Sequence, residues 1–127
     1  MSNIYTNLFI IGAAKAGTTS LHSYLDQHPE IFMSTPKEPN FFGSDKEILY
    51  KTIKNKGVEI NKCKNIDDYL SLFADAKEYK IRGESSVATM YFSNGVKDIY
   101  EQVDDFKIIV VLRNPVDRAY SSYMHHV

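Results

Sequence analysis

Four side chains in this 127-residue sequence are of the types that handle an anion and a proton: Lys15, Glu38, Arg113 and Ser121. Lys15 lies in the run Leu8-Phe9-Ile10-Ile11-Gly12-Ala13-Ala14-Lys15-Ala16-Gly17-Thr18-Thr19-Ser20. That run reads as an apolar strand, a small-residue loop and the opening of a helix. Glycine and alanine let the backbone approach a ligand closely, and the N–H groups of a new helix point at it. Lys15 adds a mobile positive charge, and the hydroxyls of Thr18, Thr19 and Ser20 add donors. The segment from Lys15 through Ala16 and Gly17 to Ser20 is therefore a candidate site for the phosphate or sulfate ester of a nucleotide. An ordinary strand-to-helix turn is the plain alternative. Threonine caps are common, but a cap does not require a lysine.

Glu38 stands in Pro36-Lys37-Glu38-Pro39-Asn40-Phe41-Phe42. Two prolines within four residues exclude a regular helix there. On the residues alone, a solvated glutamate on a turn is the simpler reading. The other is a carboxylate held near the anion loop, with Phe41 and Phe42 anchoring the segment and excluding water. A partly desolvated carboxylate is a better general base. Arg113 follows the β-branched run Lys107 to Leu112, which is expected to be a strand buried on both faces of a parallel sheet. Pro115 suits the first turn of the helix after it. Ser121 comes eight residues after Arg113, about two helical turns along, so a guanidinium fork and a hydroxyl can share one anion.

The elements that must carry these groups alternate. A strand over 7–13 precedes a helix over 18–27 with Leu21, Tyr24 and Leu25 as its buried stripe. His28-Pro29 ends that helix, and His22 and His28 read as surface or packing residues. An N-capped helix over 65–73 places Ile66, Tyr69, Leu70 and Phe73 on one face. A short strand over 79–84, a helix over 94–102 with Val96, Ile99, Tyr100 and Val103 inward, and the terminal strand and helix follow. This is an α/β fold, a P-loop-like parallel β-sheet flanked by helices. Ligands bind such sheets at the carboxyl ends of the strands, where Lys15 and Arg113 lie.

The loop has the G-x-x-x-x-G spacing of a Walker A motif, with its lysine two residues before the second glycine instead of directly after it. A Mg-dependent P-loop kinase usually holds its metal with an acidic residue at the end of a second core strand. Here that strand ends in Arg113, which can bind a second phosphate but no metal. K-x-G-T-T directly after an apolar strand resembles the 5′-phosphosulfate loop of sulfotransferases that use 3′-phosphoadenosine-5′-phosphosulfate (PAPS). Three further segments are similar to that family, in its order. Glu38 to Phe42 resembles the E-x-x-F-F segment of glycosaminoglycan-type and bacterial members. Arg82-Gly83-Glu84-Ser85-Ser86 resembles G-E-[AK]-[ST]-P, with Ser85 where some members have lysine and Val87 where proline is usual. Arg113-Asn114-Pro115 through Ser121 resembles the 3′-phosphate motif.

The resemblance implies sulfuryl transfer from PAPS to an acceptor hydroxyl or amine, releasing 3′,5′-ADP, with PAPS as cosubstrate and no metal. It implies Lys15 and Glu38 as catalytic residues, Glu38 as base. Lys15, Ala16, Gly17, Thr18, Thr19 and Ser20 would hold the 5′-phosphosulfate, and Arg113 and Ser121 the 3′-phosphate. Small-molecule sulfotransferases of the cytosol use a histidine base; no histidine stands between His28 and His125, which fits the carboxylate type. The acceptor, a carbohydrate or small molecule, is open. A nucleotide-binding module without catalysis is the reading from another class.

Length implies one domain over 1–127, the N-terminal portion of a sulfotransferase domain, since family members continue for roughly as long again. Net charge is −1, so neither nucleic acid nor an anionic membrane is an expected partner. No apolar run reaches the length of a membrane span, and the first residues do not read as a secretory signal. The single thiol, Cys63, fits a reducing compartment, so a cytoplasmic location is expected. Six lysines between 46 and 64 make a basic stretch, either a solvated face or a place for an anionic acceptor. Association of copies through exposed strand edges is a further expectation.

Overall fold

The computed structural model describes residues 4–35, 37–43, 63, 65–92 and 94–125. The basic stretch of residues 44–64 thus lies outside the described residues, Cys63 excepted. Four strands form one parallel sheet in the order β2-β3-β1-β4, with β1 at Leu8–Gly12, β2 at Ile31–Met33, β3 at Ile81–Ser85 and β4 at Lys107–Val110. Leu8 pairs with Gly83 on one side and Lys107 on the other, so β1 is central. Its five residues are all buried, as the unbroken apolar run requires.

Alternation along β1 divides the core. Phe9 and Ile11 face a cluster with Phe41, Phe42, Tyr69, Phe73 and Ile99, while Leu8 and Ile10 face Met33 and, partly buried, Leu21 and Leu25. Helix α1, Thr18–Asp26, covers the second face. Helices α2, Ile66–Ser71, and α3, Gly95–Gln102, supply Tyr69 and Ile99 to the first. Asn65 caps α2 by accepting the Asp68 N–H at 2.9 Å. Helix α4, Pro115–His125, follows β4. Among the described residues no helix is long and apolar enough to cross a membrane.

Several expectations need correction. Residues 31–33 form a strand for which the sequence analysis set no expectation. Three apolar residues carry no period of their own, and their order comes from pairing with Ile81, Arg82 and Gly83. β4 is not buried on both faces. It pairs with β1 along one edge, Val110 is 43% exposed and Leu112, past the strand end, 73%. The buried stripes of the helices are narrower than drawn. Tyr24 and Tyr100 are at least 70% exposed, and Ile66 and Val96 also stand in solvent. Only Leu21, Leu25, Tyr69, Phe73, Ile99 and Val103 of these stripes join the core clusters.

Candidate active site

At the carboxyl edge of the sheet β1 passes into a tight loop. Ala13 N–H bonds Val111 O at 2.7 Å and Val111 N–H bonds Gly12 O at 2.9 Å, which fixes the loop's root beside β4. Lys15 at φ 60 and Gly17 at φ 91 then turn the chain through the left-handed region. Glycine adopts that conformation freely, whereas at Lys15 it costs on the order of 1–3 kcal/mol. Gly17 is the N-cap of α1 and provides no side-chain cap. A Cβ on Gly17 would meet no atom within 4 Å. The first-turn N–H groups of α1 thus open onto free space, with the positive end of the helix dipole behind them.

The second wall is built from residues 37–43. Pro39, Phe41 and Phe42 are buried. Phe41 stacks on Tyr69 with ring centroids 4.7 Å apart, and Phe42 meets Phe9 edge-on at 5.5 Å. Gly43 N–H bonds the Asp98 carboxylate at 3.1 Å. With its far end anchored in the core, the segment lifts Glu38 (φ 66) and Asn40 (φ 51) into left-handed conformations. Glu38 is held from three sides. Its N–H bonds Ser85 O at 2.9 Å, its Oε2 accepts Val87 N–H at 3.2 Å, and its Oε1 pairs with Lys37 Nζ at 2.9 Å. Asn40 Nδ2 donates to Glu38 O at 3.1 Å.

Arg113 closes the third side. Its Nη1 donates to Lys15 O at 3.0 Å, pinning the loop and leaving the rest of the fork free to meet a ligand. The result is a cleft of about 370 Å³ that Lys15, Gly17, Thr18, Thr19 and Ser20 line together with Glu38, Arg113 and Ser121. Those eight sequence-predicted residues meet in one place. Ala16, the ninth, is in the loop but does not line the cleft. Lys37 and Val87 do line it, and sequence reasoning missed both. Lys37 was legible as the residue next to Glu38. Val87 acts through its backbone N–H, which no side-chain type announces.

His22 stands behind the cleft. Its Nε2 donates to Ser34 O at 3.2 Å, so Nδ1 is left to accept the Ser85 hydroxyl at 2.6 Å. Burial pushes His22 below 6.5, more than the Ser34 bond holds it up, and the Lys37 charge adds to the fall. A neutral imidazole tying α1 to the ends of β2 and β3 is the packing role its sequence context suggested. Glu84, on β3, does not line the cleft. It is completely buried, receives the Tyr69 hydroxyl at 2.6 Å, and is pushed by burial up to about 7. The Tyr69 and Ser86 hydrogen bonds oppose that rise and the Glu38 charge adds to it.

Against known proteins, residues 7–127 match the profile of the Sulfotransferase family. Human carbohydrate sulfotransferase 15 is 30% identical over 94% of this chain and 27% of its own length. The bifunctional heparan sulfate N-deacetylase/N-sulfotransferase 1 of Caenorhabditis elegans is also 30% identical, over 94% of this chain and 13% of its own. The crystal structure of a sulfotransferase from Alicyclobacillus acidocaldarius superposes with a TM-score of 0.78 at 36% identity, covering 96% of this chain and 50% of that one. The chain therefore spans about a quarter or less of these curated relatives and half of the solved neighbour.

Proposed function

The chain belongs to the sulfotransferase family, and from that premise we propose that it takes part in sulfuryl transfer from PAPS to an acceptor hydroxyl or amine, leaving 3′,5′-ADP. The observation that carries this reading is the shared cleft. Lys15 and the α1 N-terminus lie on one side, Arg113 and Ser121 on another, and a carboxylate, Glu38, opposes them.

The donor set fits a doubly anionic nucleotide. The uncapped start of α1 and the open space at Gly17 suit a 5′-phosphate at the backbone. Arg113 and Ser121 suit a 3′-phosphate, the group that distinguishes PAPS from ATP. Bound there, PAPS would supply an activated sulfuryl group on a phosphate leaving group. Lys15 neutralises charge developing on the leaving oxygen, and Thr18 and Thr19 hold the phosphate. Glu38 takes the proton of the acceptor as its oxygen or nitrogen bonds to sulfur and the sulfur–phosphate oxygen bond breaks. As in phosphoryl transfer, positioning and charge neutralisation do most of the work. The relatives named above carry carbohydrate and heparan sulfate in their names, which makes a carbohydrate the first acceptor class to try.

Thermal unfolding with 3′,5′-ADP, ADP and Mg-ATP in parallel tests the donor assignment. At 100 times its Kd a ligand stabilises by about 2.7 kcal/mol. The expected result is a clear shift with 3′,5′-ADP and little with ADP. A preference for Mg-ATP would replace this reading with a P-loop kinase, and no shift with any nucleotide would remove nucleotide binding from this chain. Arg113→Ala is expected to erase the preference for 3′,5′-ADP over ADP. A hydrogen bond to a charged group contributes about 1.5–3 kcal/mol, roughly tenfold to a hundredfold in affinity. Calorimetry on the two nucleotides reads it directly.

A further inference from the structure

Among the described residues three cations line the cleft: Lys15, Lys37 and Arg113. Lys15 and Arg113 belong to the donor side, and Arg113 Nη1 is tied to Lys15 O. Lys37 stands on the opposite wall, a partly exposed side chain with its Nζ 2.9 Å from Glu38 Oε1. Successive side chains of an extended chain point to opposite sides. Glu38 at φ 66 breaks that alternation, and the bonds from its N–H to Ser85 O and from Asn40 Nδ2 to its carbonyl hold the bend. Lys37 and Glu38 therefore converge on one spot of the cleft. The two donors that grip the carboxylate differ in kind. Val87 N–H, 3.2 Å from Oε2, is main chain and cannot leave. Lys37 Nζ, on Oε1, is a charge on a flexible stem and can.

Resting on the reading of Glu38 as base, we propose that Lys37 is a further catalytic residue, which exchanges the Glu38 carboxylate for the transferring sulfuryl group as the base is protonated. The acceptor oxygen or nitrogen forms its bond to sulfur, the sulfur–oxygen bond to the phosphate breaks, and that electron pair stays on the phosphate oxygen. The acceptor proton goes to Glu38. Oε2 must remain an acceptor for the Val87 N–H, so Oε1 receives the proton. Lys37 then loses its anionic partner, while a sulfate ester with a negative charge has formed at the acceptor beside it. Charge on this wall balances at both ends of the step. Before it, Lys37 offsets Glu38; after it, Glu38 is neutral and Lys37 offsets the ester. A charge in a partly enclosed cleft is costly unless paired, so the exchange serves both the freed ammonium and the new ester. Lys15 cannot take this part. In an in-line displacement the leaving oxygen, which Lys15 neutralises, lies across the sulfur from the acceptor.

Binding of methyl sulfate, the smallest alkyl sulfate ester, to the full chain saturated with 3′,5′-ADP tests the exchange without turnover. Glu38→Gln stands for the protonated base and should bind methyl sulfate more tightly than the unsubstituted chain. Lys37→Met, which keeps the stem and removes the charge, should bind it more weakly. The decisive pair is Glu38→Gln and the double variant Lys37→Met/Glu38→Gln, in neither of which a carboxylate repels the ester. The single variant should bind about tenfold more tightly, the lower range for a hydrogen bond to a charged group. Lys37→Arg/Glu38→Gln should recover most of that difference. Equal affinity in the decisive pair would overturn the inference, because Lys37 would then only brace Glu38. So would methyl sulfate that binds none of these proteins. Failure of 3′,5′-ADP to bind would sink the proposed function alone, since the same variants can be titrated with methyl sulfate by itself. In the transfer assay Lys37→Met should lower kcat by roughly 10²–10³ while 3′,5′-ADP affinity stays within about twofold, and Lys37→Arg should restore much of the rate. A fall in nucleotide affinity as large as the fall in rate would instead place Lys37 on the donor and defeat the exchange.

Discussion

Lys15→Ala is expected to lower sulfuryl transfer by roughly 10²–10³ with almost no change in the melting temperature. The stability half of this expectation follows from the backbone. Lys15 already sits at φ 60, and alanine carries the same Cβ into the same left-handed conformation, so strain neither rises nor falls. Its carbonyl, which binds Arg113, is also retained. What disappears is one charge from the cleft. Glu38→Gln makes the matching experiment from the opposite wall. Glutamine keeps the shape and can still accept the Val87 N–H, so 3′,5′-ADP should bind nearly as before. Transfer should drop by about 10²–10⁴, the usual contribution of a general base. Steady-state kinetics beside calorimetry on both variants separate the two roles. A Glu38→Gln protein with full activity would remove the base assignment outright.

The second large effect is on folding. Phe42→Ala should cost about 3–5 kcal/mol, the range for deleting a buried aromatic side chain, against a total stability of about 5–15 kcal/mol for a typical domain. Phe42 is 1% exposed and meets Phe9, Phe41 and Tyr69 edge-on at 5.5, 5.1 and 5.4 Å. Those rings come from β1, the Glu38 segment and α2, so the cavity would open where three parts of the chain join. Urea unfolding measures the loss as a lower midpoint at nearly constant slope. A loss under about 1 kcal/mol would show that the site collapses around the gap and that Phe42 is not the anchor of the Glu38 turn.

How far the sequence reveals this molecule depends on where the information for each part resides. β1, α1 and α4 were legible because glycine, proline and unbroken apolar runs punctuate them. β2 was not, since Ile31, Phe32 and Met33 become a strand only through their register with β3. Tyr24 and Tyr100 were assigned inward by helical spacing, but spacing gives a direction and not the width of what covers it. In the cleft, Lys15, Glu38, Arg113 and Ser121 could be read from residue type and order. That they share one cleft required the fold. The grip on Glu38 lies in a carbonyl and an N–H of residues 85 and 87, and main-chain groups are the same in every sequence. Glu84 was visible as part of a motif, yet its burial against the Tyr69 hydroxyl emerges only in the fold.

The strand order also sets a sequence of events. β1 leaves the ribosome before its partners, carrying the loop with Lys15; Leu8 pairs with Gly83 on one side and with Lys107 on the other. Parallel pairings this distant in sequence form slowly, because a long loop must close before any of them is rewarded. Until residues 83–85 and 107–110 are made, then, the central strand waits with its edges open, and neither Glu38's cradle at residues 85–87 nor Arg113 yet exists as chain. Nucleotide-binding competence should consequently arrive late and all at once, when residues 107–113 dock, and not grow in as the loop emerges.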